Sequence, residues 1–201
     1  MNLNEAKLSA LHAASYFETQ SAGYKSWGHV EVLQIALKIS KTQFVLTDEN
    51  KKLTDLSLHD IQVIAINSST TLGQLFLKRK SIETILITHQ EFASKVKNEI
   101  PPILDDQAQL LGITVRIAKG DADIITALNG RFAVVLHNGK SICIGTTIED
   151  AYVAAQLLEK TAKVFIEAEY IGGAKPINRM EAWFMHQYYR FKYSKEAKKN
   201  K

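Results

Sequence analysis

The sequence predicts one α/β domain, with helices and short hairpin strands arranged as α+β or as three α/β/α layers. Three observations point there. Short β-branched runs come in pairs joined by polar turns, the pattern of antiparallel hairpins. Longer stretches between them carry apolar residues at helical spacing. The chain has 201 residues, 46% hydrophobic and 23% charged. That length suits one core, and a domain of this size buries roughly 70% of its unfolded surface without needing a disulfide or metal.

The elements follow in order. Residues 4 to 20 place Ala6, Leu8, Leu11, Ala14 and Phe17 at helical spacing, and the helix stops before Ser21-Ala22-Gly23. Val30 to Leu37 and Gln43 to Leu46 flank Ser40-Lys41 and read as a hairpin. Leu56 to Asp60 reads as a turn of helix, and Ile61 to Ile66 as a third strand. Ser68-Ser69-Thr70 can cap a helix that buries Leu72, Leu75 and Phe76 and ends in Lys78-Arg79-Lys80. Thr84 to Thr88 is a buried strand, and Phe92 to Val96 a short helix.

Pro101-Pro102 breaks the chain. Asp105 to Leu111 reads as helical, Val115 to Ile117 as a strand, and Asp121 to Leu128 as a helix stopped at Asn129-Gly130. Phe132 to Leu136 and Ser141 to Ile144 read as strands around an Asn138-Gly139 hairpin turn. Thr146-Thr147-Ile148-Glu149 is a capping box opening the longest helix, to about Tyr170. Arg179 to Lys195 reads as a helix rich in aromatics, within a basic aromatic C-terminal segment 179–201.

Composition excludes several classes. Cys143 is the only cysteine, so no internal disulfide forms, and a reducing, cytoplasmic setting is expected. No secretory signal and no membrane span is expected. The net charge of +4 gathers toward the C-terminus without a nucleic-acid reading motif, so no nucleic acid is expected. Cys143 lies between Ile142 and Ile144 and reads as a small core residue. His12, His59 and His186 sit in helical patterns and read as surface or partly buried residues.

Four stretches, in order over about residues 5 to 170, resemble the class II aldolase/adducin superfamily. They are Trp27-Gly28-His29-Val30; Phe44-Val45-Leu46-Thr47, continued through Leu58-His59-Asp60-Ile61-Gln62-Val63; Asn67-Ser68-Ser69-Thr70 with Ile87-Thr88-His89; and Leu136-His137-Asn138-Gly139 with Ile142 to Tyr152. The resemblance implies a central, mostly antiparallel sheet between helical layers, and a homotetramer with sites at subunit boundaries. It also implies a divalent metal, usually zinc, held by three histidines.

Residue by residue, the resemblance assigns a degraded site. Ile87 stands at the first metal position, and His89 at the second. Gly139 falls on the third, with His137 two residues earlier as the one candidate substitute. Thr70 stands at the acid/base glutamate position and cannot hold a proton as a carboxylate does. Ser68, Ser69 and His29 fall on anion-binding positions, whereas Asp48-Glu49 replaces a serine-glycine pair and would repel a phosphate.

Two readings of function follow. One is a non-catalytic or diverged binding or interaction protein with no cofactor, like the adducin head. The alternative is a metal-dependent aldolase, epimerase or decarboxylase of a sugar phosphate, using His89, His137 and a further ligand. A small phosphorylated ligand and a protein partner at the aromatic C-terminal segment are further expectations.

Overall fold

In the computed structural model of this chain, residues 2–21 and 27–199 are described. The expected stop of the first helix at Ala22-Gly23, and the side chains beyond Lys192, lie outside them. Seven strands form one sheet in the order β3-β2-β1-β4-β7-β6-β5. They are β1 (Val30–Lys38), β2 (Gln43–Thr47), β3 (Ile61–Ala65), β4 (Thr84–Gln90), β5 (Arg116–Ala118), β6 (Ala133–Leu136) and β7 (Lys140–Gly145). Every pairing is antiparallel except β5 with β6.

Helices α1 (Leu3–Ser21) and α4 (Ile148–Tyr170) cover one face, where Phe17, Leu86, Cys143, Ala155 and Leu158 share a core. The short helices α2 (Thr71–Lys78) and α3 (Asp121–Ala127) cover the other, around Phe44, Phe76, Ile85 and Ile144. Period-2 alternation along β4 sends Leu86 into the first core and Ile85 and Ile87 into the second. These are the three α/β/α layers that the sequence implies.

A last helix, α5 (Arg179–Lys199), packs on the turn Gln107–Leu111 through buried Ala182 and His186. Its outer side leaves Met180, Phe184, Tyr188 and Phe191 exposed.

Residues 105–111 are helical as the sequence predicts, with Gln107–Leu111 in π-helical form. The Asn138-Gly139 turn closes the β6–β7 hairpin as expected, with Gly139 in the left-handed conformation (φ 81°) and its N–H bonded back to Leu136. Local expectations are corrected in two places. Thr147, not Thr146, caps α4, because Thr147 Oγ1 accepts from Asp150 N–H. His186 is buried, beyond the surface or partly buried place expected for it, with Nδ1 2.9 Å from the Gln109 carbonyl.

Candidate functional site

The end of the sheet where β1 begins and β4 finishes gathers most of the residues singled out in the sequence. Glu31 of β1 and Lys140 of β7 pair with His89 on either side, so the three project from the same face. Ile87 lies two residues back on that face, opposite Gln34 and Ile142. It is half-buried and packs into the second core. His29 precedes β1, and its carbonyl accepts from Glu91 N–H at 3.1 Å.

His137 sits exposed in the β6–β7 turn, with its N–H on the Ala118 carbonyl, and is not a strand residue beside His89. Gly139 completes that turn against Ser94 and offers no donor atom.

The serine cluster lies elsewhere. Gln43 pairs with Ala65, and Thr84 with Leu37, so the segment after β3 emerges at the far end of the sheet from His89. There Thr70 Oγ1 caps α2 by accepting from Gly73 N–H, and Ser68 Oγ lies 3.0 Å from Thr70 Oγ1. Ser68, Ser69 and Thr70 therefore do not share a site with His29 and His89. The sequence carries no excursion between β3 and this segment that would return it to the His89 end.

The rear face of β4 carries a different chemistry. Gln90 is buried and its Nε2 donates to the Ala155 carbonyl of α4 at 3.0 Å. Glu159, also on α4 and 1% exposed, accepts from Phe92 N–H at 2.9 and 3.0 Å and from Ala93 N–H at 3.0 Å. Burial raises its carboxyl to about 6, against the opposing pull of those N–H donors. Gly28 (φ 111°) passes so close that a Cβ there would lie 2.3 Å from Glu159 Oε1, so only glycine fits.

Glu159 also lines a cavity of about 200 Å³ with Trp27, Tyr152 and Lys160. Lys160 Nζ is already engaged there, 2.6 Å from Asp106 Oδ2 and over the Trp27 ring. Sequence reading missed Glu159, because an acid on a helix is ordinarily solvated. The available signal was its place just beyond Leu157-Leu158 on the apolar side of the helix.

A second hollow, about 430 Å³, is lined by His29, Glu31, Glu49, Lys51 and Lys52. Lys51 is spent on Asp60 at 2.7 Å, and Glu31 and Glu49 add negative charge. That wall does not suit a phosphate.

A zinc site needs at least three protein ligands plus water. The residues present do not fit one. Ile87 has no lone pair, Gly139 has no side chain, and no group of three His, Cys, Asp or Glu able to hold a metal occurs among the described residues. Cys143 is fully buried and its thiol is pushed up to about 12, so it is no nucleophile.

No protein-family model matches the sequence, and no curated protein does. Solved structures do match the fold. An L-fuculose 1-phosphate aldolase superposes with a TM-score of 0.80 at 17% identity, over 94% of this chain and 98% of the other. An aldolase II superfamily protein from Pseudomonas syringae gives 0.65 at 14%, over 94% and 86%. The L-fuculose-1-phosphate aldolase from Thermus thermophilus gives 0.62 at 16%, over 84% and 99%. No helix among the described residues is long and apolar enough to cross a membrane. The seven-stranded sheet between its helical layers, and its likeness to these structures over nearly the whole chain, give this protein the class II aldolase-like fold.

Proposed function

We propose that this protein is a diverged binding or interaction protein built on the class II aldolase-like fold, without the metal-assisted aldol step. One observation carries the reading. Ile87, at the position the resemblance gives to a metal ligand, packs into the second core, leaving His89 with Glu31 and Lys140 as its neighbours across the sheet. An aldol or retro-aldol step needs a Lewis acid to stabilise an enediolate, and two adjacent donors do not make a closed site. Thr70 adds to the case, because its hydroxyl serves a helix cap at the opposite end of the sheet.

The alternative, a metal-dependent sugar-phosphate enzyme, draws on one observation: the His89–Glu31 pair supplies two ligand types on one face. It would need a third ligand from a second copy of the chain. Turnover of L-fuculose 1-phosphate, assayed with added zinc, separates the two readings. The proposal expects no retro-aldol product above the uncatalysed rate. Zinc-dependent turnover abolished by His89→Ala would overturn it.

A further inference from the structure

Helix α5 meets the rest of the chain with one face and solvent with the other. Ala182 and His186 are buried against the turn Gln107–Leu111, and His186 lies edge-on to the Phe132 ring. The opposite face carries Met180, Phe184 and Tyr188 at successive fourth positions, which line up in one stripe on a helix of about 3.6 residues per turn. They are 67%, 59% and 70% exposed. Trp183, also exposed, lies beside the stripe, its ring centre 5.1 Å from that of Phe184. Large apolar and aromatic side chains gathered in one exposed stripe, rather than scattered, mark a protein-binding surface.

The groups flanking the stripe indicate its occupant. Glu181 and Lys192 stand about three turns apart on one flank, both exposed and neither in an ion pair among the described residues. Trp183 and Arg190, both exposed, stand about two turns apart on the other flank. Each flank thus carries two complementary groups, an acid with a base and an aromatic face with a guanidinium. When two copies of a helix pack antiparallel about a twofold axis, each flank meets the same flank of the other copy, run in reverse. A single axis at the level of His186 and Gln187 brings Glu181 against Lys192 and Trp183 against Arg190, each contact made twice. Parallel packing would instead set Lys192 and Arg190 of the two copies at the same level, and like charges there repel. An anionic lipid surface draws Lys and Arg to both flanks of an amphipathic helix, whereas Glu181 occupies one flank here.

We propose that the outer face of α5 binds a second copy of this chain, α5 against α5, antiparallel about a twofold axis. Met180, Phe184 and Tyr188 of the two copies form the apolar centre of the contact. Ion pairs of Glu181 with Lys192 and cation–π contacts of Arg190 with Trp183 form its two rims and set its register. A contact of this kind uses the same patch on both copies, so it closes at two instead of propagating. Nothing in it depends on metal binding at His89.

Sedimentation equilibrium of the full chain tests this, at about 0.1 M salt, where charges in contact still act and those beyond about 10 Å are screened. The variants are Tyr188→Asp, which puts charge into the apolar centre, Glu181→Lys, Lys192→Glu, and the double swap of Glu181→Lys with Lys192→Glu. All change exposed residues, and an unchanged melting temperature at low concentration, read by circular dichroism, checks that each folds. The expected result is reversible pairing of the wild type, weakened at least about thirtyfold by Tyr188→Asp. Each single swap creates two like-charge contacts and weakens pairing about tenfold, and the double swap restores it to within about threefold of wild type. A wild type that stays monomeric up to about 100 μM, an assembly left intact by Tyr188→Asp, single swaps that pair as well as wild type, or a double swap no better than either single would each overturn the proposal. So would a monomeric wild type that binds phosphatidylserine vesicles and loses that binding in Tyr188→Asp, which would assign the stripe to lipid.

Discussion

The two faces of β4 make a sharp contrast. At its rear the strand end is tied to α4 by polar groups: Gln90 on the Ala155 carbonyl, and Glu159 on the N–H groups of Phe92 and Ala93. At its front the same stretch of strand offers an apolar Ile87 and an exposed His89. The rear is a device that fixes where the strand ends and how it turns. The front is where the resemblance expects the chemistry. Positioning without a donor set is what a binding scaffold needs, and it is not enough for metal catalysis.

The largest expected effect breaks the rear face. Glu159→Ala leaves two N–H groups without their acceptor, at about 1–3 kcal/mol each, and opens a void. A loss of about 3–5 kcal/mol in chemical denaturation is expected. Gly28→Ala follows, at about 2–3 kcal/mol, because the added Cβ meets Glu159 Oε1 from a left-handed backbone that disfavours side chains.

Third comes pH. The Glu159 carboxyl titrates near 4.5 when exposed and near 6 in the fold. Between those values the folded chain holds a proton that the unfolded chain has released. The Glu159 contribution to stability is therefore fully present below about 4.5 and lost as pH rises through about 6, a drop of about 2 kcal/mol. Denaturation of wild type against Glu159→Gln across pH 4–7 should show that difference, since the amide does not titrate.

The front face is expected to respond weakly. Ile87→His should cost about 1 kcal/mol of apolar burial. It should also create nickel or zinc binding that disappears again in the double variant with His89→Ala, because histidines two apart on a strand share a face. His89→Ala alone should change stability by less than about 0.5 kcal/mol, as for an ordinary exposed side chain.

Much of the fold was legible because its signals are local. The hairpin β1–β2, the Thr70 cap of α2 and the long apolar stripe of α4 each follow from spacing within one segment. The parallel pairing of β5 with β6 was not, since nothing within three residues of strand specifies a partner beyond the α3 crossover. The candidate site was legible only in part. The motif order grouped Ile87, His89 and Gly139 near one end of the sheet, but it put Ser68–Thr70 with them. Register alone sends that segment to the other end. Glu159 escaped notice because its meaning comes from burial and from neighbours far along the chain.

The contrast between the faces of β4 rests most directly on metal content. Zinc measured by mass spectrometry on the purified protein, after dialysis against a zinc buffer, should lie far below one per chain and be unchanged by His89→Ala. One zinc per chain, lost in that variant, would contradict the account.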